Sequence, residues 1–174
     1  MSIGNGKVVW FTGMSGAGKT TVSSNVLEQL ERNGELVKML DGDVVRKGLC
    51  SDLGFSHADR TENVRRVAEV AALFADSGFT CIVALVSPYQ IDREKARSCV
   101  GAERFIEVFV DAPLEVCRAR DPKGLYAKAD VGEVKKMTGV SHPYEAPENP
   151  DVHLHTDVRS VEECAGEVMS AIVT

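Results

Sequence analysis

At 174 residues the chain suits one domain, with a core that removes roughly 70% of the unfolded surface from water. Hydrophobic residues at 44% and charged residues at 26% are a globular mix, which excludes disorder as the main state. Lys and Arg number 20 against 26 Asp and Glu, a net charge of −6, the wrong sign for gripping nucleic acid through a basic face.

Residues 1–6 are polar, with no basic stretch leading into an apolar signal core, which predicts a cytoplasmic protein. Residues 7–12 then read as a short buried strand, and 20–33 as a helix with Val22, Val26, Leu27 and Leu30 on one face and Gly34 past its end. A second strand is expected over 35–40 and a long helix over 56–77, where Val64, Val67, Ala68, Ala71, Ala72 and Phe74 keep helical spacing and Gly78 stops it. Residues 79–86 form an almost wholly apolar strand, as in the middle of a parallel sheet. This best apolar run is far short of the roughly 20 residues a spanning helix needs, so no membrane is expected. A shorter helix over 91–99, a strand over 105–110, a helix opening at Pro113, a weak strand over 152–156 and a closing helix over 161–173 complete the alternation.

Alternating strands and helices imply an α/β fold, a parallel sheet flanked by helices in three layers, with ligands beyond the carboxyl ends of the strands. Residues 121–150 break the pattern: polar, rich in Gly and Pro, without a long apolar period. Such a segment is a functional lid or a disordered insert, and it is read as a lid within a single domain spanning 1–174. The five cysteines are odd in number and contain no C-x-x-C, so they read as reduced small hydrophobes, not disulfides or zinc ligands. His153 and His155, two apart on a strand, share a face as metal ligands would, but with no further ligand visible they read as structural or exposed.

Gly13-Met-Ser-Gly-Ala-Gly-Lys-Thr20 fits G-x-x-x-x-G-K-[ST] between a strand and a helix, the context a P-loop requires. Its glycines let main-chain N–H groups turn inward around phosphate oxygens, and the helix N-terminus adds partial positive charge. Gly13, Ser15, Gly16, Ala17, Gly18, Lys19, Thr20 and Thr21 are the expected ATP contacts, Lys19 reaching the β- and γ-phosphates and the Thr20 hydroxyl meeting Mg²⁺. Asp121-Pro-Lys-Gly124 matches the GTPase string D-x-x-G, and Ala127-Lys-Ala-Asp130 is one letter from N-K-x-D. The two lie too close together for those roles and read as chance. Chain length then favours a small-molecule kinase. Asp41 and Asp43 end the second strand at the ligand edge, and Asp43 is placed to accept a proton from a substrate hydroxyl or to join the metal shell. The competing reading makes Asp43 the N-cap of a following short helix.

The phosphate loop, Leu40-Asp-Gly-Asp43, Arg46, Asp52-Leu-Gly-Phe55, Asp59-Arg60 through Glu62-Asn63, Ser87-Pro88, Phe109-Val-Asp-Ala-Pro113, Asp121-Pro-Lys-Gly-Leu-Tyr126 and Pro143-Tyr-Glu-Ala-Pro147 together resemble adenylylsulfate kinase (APS kinase) over about residues 7–173. The resemblance implies transfer of the ATP γ-phosphoryl group to the 3′-hydroxyl of adenosine 5′-phosphosulfate (APS), giving 3′-phosphoadenosine 5′-phosphosulfate (PAPS) and ADP with Mg²⁺. It also implies a homodimer, and raises association with ATP sulfurylase. A kinase of the same fold with another nucleotide acceptor, or a catalytically inactive nucleotide-binding regulatory protein, is the alternative.

Arg46, Arg60 and Lys123 are the cations expected to meet the anionic acceptor, Phe55 its stacking surface, and Asn63, one turn after Arg60, a polar contact. Asp41, Val86, Ser87, Gly124, Leu125 and Met137 complete the expected substrate contacts, and Arg120 at the lid hinge is expected against ATP. The family is described with a phosphoserine at the position of Ser87. No base is evident beside it, so Ser87 reads first as a contact and only secondarily as a nucleophile. Two positions depart from the family's habit: Val44 for Asn, and Met137 for Phe, which makes the second wall of the purine site a thioether. Arg65 and Arg66 read only as solvated surface charges or helix-face pairs.

Overall fold

In the computed structural model, which describes residues 6–173, five strands form one parallel sheet in the order β2-β3-β1-β4-β5. The strands are β1 (Val8–Thr12), β2 (Val37–Asp41), β3 (Thr80–Ala84), β4 (Phe105–Asp111) and β5 (Val152–His155). The reading of residues 1–6 falls, apart from Gly6, outside the described residues. Among the described residues no helix is long and apolar enough to cross a membrane.

β1 is central and fully buried, and its side chains divide by the strand's two-residue period. Val9 and Phe11 join a core with Val22, Val26 and Leu30 of α1 (Lys19–Arg32) and Val168 and Ile172 of α7 (Val161–Val173). Val8 and Trp10 face the other way, toward Val64, Val67 and Ala71 of α3 (His57–Asp76) and Ala96 and Val100 of α4 (Gln90–Val100). Two apolar layers on one sheet are the three-layer sandwich read from the alternation. The chain leaves β1 toward β2 and β3 on one side and returns to β4 and β5 on the other. The strand order therefore reverses at β1, where the phosphate loop begins.

Strand and helix bounds shift from the sequence reading by a few residues at most. α3 starts at a capping box: Ser56 Oγ accepts from the Asp59 N–H at 3.1 Å, and Asp59 Oδ2 accepts from the Ser56 N–H at 3.1 Å. Of the short elements, α2 (Gly42–Val45) follows β2 directly, where the competing reading of Asp43 put a short helix, and α5 (Leu114–Arg120) opens after Pro113 as expected; α6 (Leu125–Asp130), inside the segment read as lid, is an addition. All five cysteines are free, four of them buried, as read.

Candidate active site

The loop between β1 and α1 is shaped by close approach of backbone. A Cβ on Gly13 would lie 2.4 Å from the Val110 carbonyl oxygen, and one on Gly16, at φ +79°, 2.6 Å from that of Cys117. Three side chains hold the loop's carbonyls from outside. Tyr126 Oη donates to Ser15 O at 2.8 Å, Thr156 Oγ1 to Ala17 O at 2.6 Å, and Arg120 Nη1 to Gly16 O at 3.3 Å. In a trans peptide C=O and N–H point opposite ways, so clamping the Ser15 and Ala17 carbonyls outward turns the Gly16 and Gly18 N–H groups inward. Gly18 caps α1 with no side-chain hydrogen bond. Lys19 Nζ donates to Gly13 O and Met14 O, both at 2.8 Å. Burial, and next the nearby Lys123 charge, pull its pKa down from 10.5 to about 8.

At the end of β2 the two carboxylates separate. Asp41 is the N-cap of α2, its Oδ1 accepting from the Asp43 N–H at 2.9 Å, while its Oδ2 accepts from Thr20 Oγ1 at 3.0 Å. This corrects the competing reading of Asp43 as the cap: the helix begins two residues earlier than that reading requires, at Gly42, so Asp43 is already in its first turn. Asp43 is free to face the cleft, where its carboxylate makes a direct ion pair with Lys123. Asp121 Oδ1 and Oδ2 accept from the Tyr126 and Ala127 N–H groups at the start of α6, and Asp130 pairs with Arg118. Both GTPase-like strings thus have structural roles.

The same cavity, about 1210 Å³, runs from the loop to α3. Phe55 is 54% exposed on its wall, with the Arg46 guanidinium 4.3 Å and the Arg60 guanidinium 5.6 Å from its ring centroid. Arg60, 9% exposed, donates to Lys136 O at 2.8 Å. Burial lowers the pKa of both arginines. Asn63 is 5% exposed, and its Nδ2 is buried without a partner among the described residues. Met137 is buried yet lines the cavity, whereas Val44 is 67% exposed. Val86, Ser87, Leu125 and Lys123 also line it; of the residues expected at the site, Gly13, Ala17 and Gly124 do not. The loop glycine and alanine shape it from behind, and Gly124 caps α6 in the left-handed conformation at φ 64°.

Ser87 is 3% exposed at φ 38°, its Oγ accepting from Trp10 Nε1 at 3.1 Å. Sequence reasoning missed Arg93 beneath it. This buried side chain donates from Nε to Glu107 at 2.8 Å, from Nη1 to Ser87 O at 2.8 Å and from Nη2 to Glu145 O at 2.7 Å. Arg93 therefore fixes both the cavity edge at Ser87 and the arm of chain around Glu145 that passes it. That arm is further tied by Glu145 N to Pro88 O at 2.8 Å and by a 3.0 Å hydroxyl contact between Tyr144 and Thr12. Thr156 and Tyr126 were missed as well; nothing local in the sequence ties any of them to the loop. Arg65 and Arg66 pair with Glu62, and Arg66 also with Asp52, as surface charges do.

A family model described as adenylylsulphate kinase matches residues 5–155. The chain belongs to the adenylylsulphate kinase family. Its activity is that family's kinase reaction, which yields PAPS. An adenylyl-sulfate kinase of Prochlorococcus marinus is 49% identical over 166 residues, covering 95% of this chain and 83% of that protein. One of an Enterobacter species is 56% identical over 149 residues, covering 86% and 74%. The Mycobacterium tuberculosis APS kinase CysC, solved in complex with AMPPNP and APS, superposes with a TM-score of 0.93 at 48% identity, covering 98% of this chain and 99% of that one. The APS kinase fold is thus present from the phosphate loop to β5, including the cleft between loop and α3.

Proposed function

We propose that ATP occupies the phosphate-loop end of the cavity and APS the α3 end, and that the γ-phosphoryl group passes directly between them. The observation that carries this reading is the continuity of one cavity of about 1210 Å³ past Lys19, Asp43 and Asn63. A drug-sized ligand needs roughly 300–1,000 Å³, so this space suits two nucleotides better than one. Buried Asn63 Nδ2 has a donor to offer a polar ligand, and Phe55 an open ring for a purine.

In this reading the loop N–H groups and Lys19 hold the triphosphate. Asp43 takes the proton of the 3′-hydroxyl as that oxygen bonds to the γ-phosphorus, while the bond from the γ-phosphorus to the β–γ bridging oxygen breaks and ADP leaves. Lys123 must first release Asp43, and the phosphosulfate is the anion that competes for it; Arg46 and Arg60 supply the remaining positive charge. Thr20, Asp41 and Asp43 offer only hard oxygen donors, with Thr20 and Asp41 3.0 Å apart, a set that fits Mg²⁺. The ion, when bound, neutralises charge on the phosphates. Arg120 and α6 steady the loop as the lid segment, within about residues 121–150, covers the cleft and excludes water. Ser87 serves as a wall.

A single domain, a cytoplasmic setting matched by five free cysteines, a homodimer and contact with ATP sulfurylase complete the proposal. Incubation of the purified chain with ATP and APS, with the product's phosphate position read by NMR, tests the reaction. The expected product is 3′-phosphorylated APS; ADP with free phosphate alone would remove the assignment.

A further inference from the structure

β5 is an edge strand that buries Val152 and Leu154 and turns His153 and His155 outward, as a two-residue period requires. The ladder sets Phe109 beside His153 and Asp111 beside His155. Asp111 Oδ2 consequently stands 3.0 Å from His153 Nε2 and 3.8 Å from His155 Nδ1, and the two imidazole centroids are 4.3 Å apart. Phe109 stacks behind His153 at 4.8 Å, which limits the rotation of that ring. Among the described residues this is the one cluster of three such side chains whose ligand atoms converge, all within 4.8 Å of one another.

We propose that Asp111, His153 and His155 form a binding site for a divalent transition-metal ion, Zn²⁺ being the best match. Bonds of about 2.0–2.2 Å in tetrahedral array put ligand atoms about 3.3–3.5 Å apart, between the two separations to Asp111 seen here. The strands are fixed by the ladder, and all three side chains are more than a third exposed, so small rotations complete the shell. Two imidazoles and one carboxylate select Zn²⁺, Co²⁺ or Ni²⁺ over Mg²⁺, and three protein ligands leave a position for water. None of the three residues lines the nucleotide cavity, so the site is separate from the Mg²⁺ position proposed at Thr20. The Asp111 main-chain carbonyl accepts from the Thr156 N–H at 3.0 Å, so an ion here would brace the strand end from which Thr156 reaches the phosphate loop.

The test is Co²⁺ titration of the full chain after chelation and dialysis. One equivalent should bind with visible d–d bands of low coordination, Zn²⁺ should displace it, and excess Mg²⁺ should not. His153→Gln and His155→Gln should each weaken binding by at least about 100-fold, since even outer-shell changes cost 10–100-fold. Cys99→Ser should leave the spectrum intact. In the unaltered chain the ring resonances of His153 and His155 should shift together as Co²⁺ is added, a readout that needs no variant to fold. Absence of saturable binding, unchanged affinity in both histidine variants, thiolate charge-transfer bands, or undisturbed histidine resonances would each overturn the site.

Discussion

Lys123 and Asp43 are joined by a direct ion pair across the mouth of the cleft, one from the turn before α6 and the other from the first turn of α2. The proposed proton acceptor is thus held by a cation from the segment proposed as a lid. Asp43→Ala should cut kcat by orders of magnitude with little change in ATP binding. Lys123→Ala should instead raise KM for APS more than it lowers kcat. Steady-state kinetics on both variants checks this; a reversed pattern would exchange the two roles.

The lowered pKa of Lys19 gives a pH dependence with a definite sign. In the free protein the ammonium deprotonates near pH 8, whereas bound phosphates favour its charged form. Apparent ATP affinity should therefore be level below about pH 8 and fall as pH rises through it, with proton uptake on binding. Because Lys123 is the second cause of the depression, Lys123→Gln should move the alkaline limb to higher pH. Calorimetry in buffers of different ionisation enthalpy measures both effects.

Ser87→Ala separates wall from nucleophile. The alanine leaves the buried Trp10 N–H without its acceptor, a loss of about 1–3 kcal/mol in stability. Turnover should nonetheless stay within the wild-type order of magnitude, because the Ser87 carbonyl still receives Arg93 and Thr12. Collapse of kcat in a folded Ser87→Ala chain would restore the covalent route.

Arg93 binds three acceptors through three different nitrogens, so lysine cannot replace it. Arg93→Met strands Glu107, 12% exposed, and should cost about 3–5 kcal/mol in urea unfolding. Adding Glu107→Leu should recover part of that loss. If the double variant is no more stable than the single one, the pair is not the source of the effect.

What the sequence disclosed follows from range. β1, α1, α3 and β3 were legible because their apolar periods run through whole elements, and the phosphate loop because its chemistry is contiguous. α2 and α6, at four and six residues, are too short to carry a period. Whether Asp43 caps a helix or faces a ligand was not legible because the start of α2 is set by the backbone turn at Gly42, which makes Asp41 the cap. Arg93, Tyr126 and Thr156 stayed hidden because each acts on a segment far away along the chain.

That distance bears on how the protein comes into being. The shape of the loop at Ser15 to Ala17 depends on partners 111 and 139 residues downstream. Long loops must close before such contacts form, so they arrive late in folding. A nascent chain therefore carries the phosphate signature well before it can grip a nucleotide. That ability waits until Tyr126 and Thr156 have left the ribosome and docked on the loop.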